Sequence, residues 1–175
     1  MQLTGQRDIK ADTAAVWAAI LDPDVLMACV PGCESMTGTA ETGFEAVVVQ
    51  KVGPVKARFT GVVTLSDMVP EQGLTISGEG KGGPAGFAKG GAKVTMEAIA
   101  GGTRLAYDVQ ANVGGKLAQL GSRIIDGFAK KMADDFFTRF QAAVEGPAEP
   151  EVIDEPVAEA DVEKKKGWFK RIISG

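Results

Sequence analysis

The chain has 175 residues, enough for one domain and an appendage. A net charge of −4 argues against a nucleic-acid partner, because duplex binding needs a basic stripe across the fold. The absence of histidine excludes Ser-His and Cys-His nucleophile pairs, imidazole acid–base work and histidine-based metal sites, so enzyme is a minority reading from composition alone.

In chain order, Met1-Gln2-Leu3-Thr4 is too polar to begin a secretory signal, and no apolar run approaches the ~20 residues needed to span a bilayer. Residues 3–9 suit a first strand. Asp12 is a good helix N-cap, and Val16, Trp17 and Ile20 repeat at helical spacing after it. Asp22-Pro23 ends that helix, and residues 24–29 suit a second short one. Cys29 and Cys33 are too few for a disulfide framework or a zinc site, and read as reduced thiols in a cytoplasmic protein. Val30-Pro31-Gly32 marks a turn.

A series of strands follows: a weak one at 34–39, an apolar one at 44–51, then alternating runs. Val55, Ala57, Phe59, Val63 and Leu65 share one face; Lys56, Arg58, Thr60 and Thr64 share the other. Leu74 and Ile76, then Val94 and Met96, then Leu105, Tyr107 and Val109 continue the inward face. The run GEGKGGPAGFAKGG at 78–91 lacks the ending of a phosphate loop. It reads as a loose connection, or as a rim over a cavity with Phe87 as an apolar gate. Residues 116–144 contain no proline and predict one helix of ~43 Å. Its apolar stripe is Leu117, Leu120, Ile124, Phe128, Met132, Phe136 and Phe140. Gly121 within the stripe suggests a close approach, by a crossing strand or by a ligand.

The predicted fold is α+β: a curved antiparallel sheet of about seven strands wrapped around a long C-terminal helix, the helix-grip arrangement. Such a fold often encloses an apolar cavity. Its candidate lining is Val55, Phe59, Val63, Ile76, Phe87, Met96, Tyr107, Leu117, Leu120, Gly121, Ile124 and Phe128. A buried Tyr107 hydroxyl needs a polar partner, either a backbone carbonyl or a ligand. Catalytic and metal sites are expected to be absent.

The remainder sorts its charge. The ligand-binding domain is expected over 1–144, where fourteen bases nearly balance fifteen acids. An acidic, flexible linker is expected over 145–163, with eight acids and no base. As random coil its last eighteen residues span ~25 Å, and ~55 Å when extended. A basic amphipathic tip is expected over 164–175, with Lys164, Lys165, Lys166, Lys170 and Arg171 set among Trp168, Phe169, Ile172 and Ile173. Such a segment suits an anionic membrane surface, at up to ~5 kcal/mol of electrostatic attraction for five bases. A solubilising tail or a docking peptide for a protein is the other reading.

Four runs carry a resemblance: V-P-G-C-E at 30–34, K-V-G-P-V-K-A at 51–57, G-E-G-K-G-G-P-A-G-F-A-K-G at 78–90 and V-G-G-K-L-A-Q-L-G-S-R at 113–123. Together they make residues 1 to about 144 resemble the CoxG family of carbon-monoxide dehydrogenase subunits, within the START-like (SRPBCC) superfamily. The resemblance implies an accessory protein rather than an enzyme. Its implied partner is a molybdenum-containing carbon-monoxide dehydrogenase or related hydroxylase, and its implied location is peripheral, on the inner face of the cytoplasmic membrane. The joint expectation is a greasy cavity that binds a respiratory quinone, menaquinone or ubiquinone, and a tip that draws it to the membrane quinone pool. The alternatives are a recruitment or assembly adaptor with a filled core, or a START-like enzyme acting on a small apolar substrate.

Overall fold

A computed structural model describes residues 1–146; the predicted linker beyond Gly146 and the basic tip lie outside the described residues. The chain begins with strand β1 (Gln2–Ile9), which leads into helix α1 (Thr13–Ile20). The Asp12 carboxylate caps α1 by accepting the Ala15 amide at 2.8 Å. Helix α2 (Pro23–Cys29) has proline in its first turn, where no amide hydrogen is missed, and Asp22 as its cap.

Six strands then form a continuous meander: β2 (Cys33–Thr39), β3 (Gly43–Val52), β4 (Val55–Val69), β5 (Gly73–Lys81), β6 (Phe87–Ile99) and β7 (Gly102–Gly114). Strand β1 adds antiparallel to β7, giving the order β1-β7-β6-β5-β4-β3-β2. Strands β1 and β2 are the two edges, so the sheet curves without closing. Two helices finish the unit, α3 (Lys116–Gln119) and α4 (Ser122–Glu145). Residues Met1–Val144 make one compact unit.

The glycine-rich run is not a loose connection. Gly78–Lys81 and Phe87–Gly91 are paired strand, with Gly78 opposite Gly90 and Gly80 opposite Ala88. Only Gly82–Gly86 leaves the ladder, as a short 3-10 turn around Gly83–Ala85. Glycine has poor strand propensity, and the neighbouring ladders override it here.

The predicted single C-terminal helix is broken. Gly121 has φ +88°, a conformation that L side chains rarely adopt, and it separates α3 from α4. Nothing lies within 4 Å of where its Cβ would be. The backbone turn explains this glycine, and no close approach is involved.

Two buried clusters hold α4 near its ends. Phe137 and Phe140 pack with Ile9, Val16, Leu74, Val94, Met96 and Leu105. Near its N-terminus, Ile125 packs with Leu117 of α3 and Val52 of β3. Between the two clusters the helix and the sheet stand apart.

Candidate functional site: an apolar cavity

The space between sheet and helix is a cavity of about 610 Å³. All seven strands and all four helices contribute to its wall. The inward positions of β3 follow strict alternation: Phe44, Ala46, Val48, Gln50 and Val52. On α4 the lining is Ile125, Phe128, Ala129, Met132, Ala133, Phe136 and Phe137, the i, i+3, i+4 face of a helix. No lining side chain is charged, and Gln50 and Tyr107 bring the only polar side-chain groups.

Of the residues expected from sequence, Phe59, Val63, Ile76, Tyr107, Leu117 and Phe128 stand on the wall. The other six do not. Phe87 is 42% exposed, with its ring over Gly114 of the neighbouring strand, and is not on the wall. Met96 lies in the closed core around Phe140. Val55 and Leu120 pack behind the wall, against the Val52–Leu117–Ile125 cluster. Ile124 is 42% exposed, because Gly121 resets the helix and turns Ile125 inward in its place. Gly121 itself sits in the helix break.

The wall also has members that apolar counting misses. Ala129 and Ala133 face the cavity one turn apart, and their small size is what leaves the space open. Gly80 and Ala88 do the same across the β5–β6 ladder. Leu26 and Val30 at α2 and Met36 on β2 close the side away from β1.

Tyr107 is set by three neighbours. Its hydroxyl overlies Gly5, its cross-strand partner; a Cβ at Gly5 would come within 2.4 Å of that oxygen. Its ring stacks on Phe137 with centroids 4.9 Å apart. The Arg7 guanidinium lies 5.4 Å from the same Phe137 ring and donates to Asp134 at 2.6 Å, tying edge strand β1 to α4. Lys130, one turn before Asp134, donates to its other oxygen at 2.9 Å. Lys130 and Arg7 together hold the Asp134 carboxyl below its ordinary range, against a smaller opposing push from burial. Among the described residues the Tyr107 hydroxyl has no hydrogen-bond partner, so of the two partners considered for it a backbone carbonyl is not present. Gln50 is engaged on one side, its amide nitrogen donating to the Pro31 carbonyl.

The described residues hold no cluster of three or more Cys, Asp or Glu groups suited to a metal ion. Cys29 is buried and Cys33 half-buried, both free; burial pushes both thiols up, away from the reactive thiolate. Among the described residues no helix is long and apolar enough to cross a membrane.

Comparison with known proteins places this geometry. A conserved protein from Geobacillus kaustophilus superimposes with a TM-score of 0.77 at 29% identity, over 83% of this chain and 95% of that one. A protein from Rhizobium leguminosarum gives 0.64 at 18% identity, over 83% and 94%. The protein CV1439 from Chromobacterium violaceum gives 0.62 at 16%, over 83% and 98%. The latter two show the shared fold alone. No curated protein matches the sequence. The family of CoxG, a carbon monoxide dehydrogenase subunit, matches over residues 5–145, which is nearly all of the folded unit. The chain belongs to the carbon monoxide dehydrogenase CoxG family.

Proposed function

We propose that this protein is a membrane-associated accessory subunit of a carbon-monoxide dehydrogenase or related molybdenum hydroxylase, and that it carries a respiratory quinone in its cavity. The observation that supports this reading most is the wall itself. A cavity of about 610 Å³ with no charged lining side chain suits a neutral, greasy molecule. Tyr107 lines that wall, and its hydroxyl, which lies against Gly5, has no partner among the described residues. Tyr107 is half-buried, and a hydroxyl without an internal partner is free to donate to a ligand carbonyl. Quinones, menaquinone or ubiquinone, combine both properties in one molecule: carbonyl oxygens on a ring and an isoprenoid tail.

The family supplies the second half of the reading. Electrons from such a dehydrogenase must reach a quinone that is almost insoluble in water, and a sheltered carrier solves that transfer. The basic tip at 164–175 is the proposed attachment to the inner face of the cytoplasmic membrane, through Trp168, Phe169 and the five bases. An adaptor with a filled core fits the open cavity poorly. A START-like enzyme would need acid–base groups that the wall lacks.

Organic extraction of protein purified from quinone-producing cells, followed by mass spectrometry, tests the cargo. The expected result is a quinone near one equivalent per chain; its absence under saturating supply overturns the reading. Flotation with anionic liposomes tests the tip: chain 1–163 is expected to bind more weakly than the full chain, and equal binding removes the tip's role.

A further inference from the structure

Gln50 is the one amide side chain on the cavity wall, and it is held in place. It takes the inward position between Val48 and Val52 on β3 and is half-buried. Its amide nitrogen donates to the Pro31 carbonyl in the turn between α2 and β2. That turn is fastened to β3 in its own right, the Val49 amide donating to the Gly32 carbonyl at 2.9 Å. A carbonyl only accepts, so the contact fixes which end of the Gln50 amide is the nitrogen. One N–H and the amide oxygen are left over, and among the described residues neither has a partner. The Tyr107 hydroxyl, the other polar side-chain group among the lining residues, is likewise without one.

Both groups work in either direction. An amide that keeps an N–H and an oxygen donates or accepts, and a hydroxyl rotates to do the same. The ligand class proposed above changes sides in step. The ring oxygens of a quinone only accept; with two electrons and two protons they become the hydroxyls of a quinol, which donate. A wall of donors alone would select the quinone, and a carboxylate would select the quinol. A lysine or guanidinium would select the radical anion formed by a single electron, by pairing with its charge. The lining side chains include none of these charged groups, and an anion left uncompensated in such surroundings is costly.

Resting on the quinone reading above, we propose that the cavity is blind to the redox state of its cargo. Gln50 and Tyr107 meet the ring oxygens of quinone and quinol equally well, and the semiquinone between them is left without support. The ratio of the two dissociation constants sets the shift in midpoint potential, about 30 mV for each tenfold in a two-electron couple. Equal binding therefore leaves the bound couple at its free potential. The protein then neither traps one form nor makes its cargo a stronger or weaker oxidant. No electron transfer is placed inside the cavity.

The test uses the delipidated full chain and water-soluble analogues of menaquinone and ubiquinone carrying a single isoprene unit. Equilibrium dialysis under argon gives Kd for each quinone, and for its quinol in excess dithionite. The two constants are expected to agree within about fivefold, which places the bound midpoint potential within about 21 mV of the free analogue. A half-reduced sample is expected to show no more radical by electron paramagnetic resonance than the analogue alone. A larger preference for either form, or an enlarged radical signal, overturns the proposal. Gln50→Leu is expected to raise both constants by the same factor, up to about tenfold. A change in one constant only, or in neither, also overturns it. Because Gln50→Leu releases the Pro31 carbonyl as well, its circular-dichroism spectrum is compared with the parent. If it does not fold, Tyr107→Phe carries the same comparison with no internal hydrogen bond lost. Failure of the quinone itself to bind sinks the quinone reading, and this inference with it; unequal binding of quinone and quinol sinks this inference alone.

Discussion

Tyr107→Phe removes a hydroxyl that no described protein group engages. Fold stability is therefore expected to stay within about 0.5 kcal/mol of the parent in urea denaturation, since no internal hydrogen bond is lost. Quinone affinity is expected to fall by up to about tenfold, the worth of one hydrogen bond, in a titration followed by fluorescence. A large loss of stability with unchanged affinity would show that the hydroxyl serves the fold instead. Inward parity makes Tyr107 visible in the sequence, but Gly5 and Phe137, which hold it, are distant in the chain and give no signal there. Asp134 and Asp8 illustrate the charges at this edge. Lys130 and Arg7 lower the first carboxyl and Arg104 lowers the second. A lowered folded value means the unfolded chain binds protons first as acid is added. The contribution of both groups is thus complete at neutral pH and above the ordinary carboxylate range, and is lost as the pH falls through their lowered values. Acid unfolding of Asp134→Asn is expected to start from a lower stability at pH 7 and to show a shallower decline below about pH 4.

Helix α4 shows how an element can be legible in kind while its phase is hidden. Counting bulky apolar residues gives a repeat of four, Leu120, Ile124, Phe128, Met132 and Phe136, which drifts around the helix. The helix instead faces the cavity with Ile125, Phe128, Ala129, Met132, Ala133, Phe136 and Phe137. Alanine carries little weight in a hydrophobic stripe, yet here it marks where the wall recedes. Filling that recess with Ala129→Phe or Ala133→Phe is expected to leave the melting temperature unchanged or raised, because the added ring enters existing space rather than packed core. The same variants should retain less than half of the extracted quinone. The glycine run at 78–91 hides its structure for a related reason: single-residue propensity says loop, and only the pairing partners Val62, Lys89 and Gln110 reveal strand. Gly121 acts on the element as a whole. Gly121→Ala has no steric neighbour to meet, so its expected cost of about 1 kcal/mol comes from the positive φ alone. Guanidinium denaturation measures it, and a cost above about 3 kcal/mol would mean the helix break is packed more tightly than the open space around it indicates.

At the scale of the molecule, the architecture is readable because it follows from patterning: six consecutive alternating strands need one cover, and only the C-terminal helix is long enough. What the pattern cannot supply is depth. Core and cavity wall have the same apolar composition, and Met96 and Ile76 share a face while only Ile76 reaches the cavity. A molecule that fills a space of this size gives its lining packing partners. Cargo binding is therefore expected to raise the melting temperature of delipidated protein, by about 2.7 kcal/mol of stability at a ligand concentration one hundred times Kd, read by differential scanning calorimetry. The cavity wall described above has one more consequence. Its side chains include no carboxylate, lysine, guanidinium or imidazole, so they add no fixed charge to be screened. The stabilising shift should be the same from about pH 5 to pH 8 and at any ionic strength, a range over which histidine-lined sites switch. Under the proposed function, control of loading and release would then fall to the boundary of the cavity rather than to its side chains.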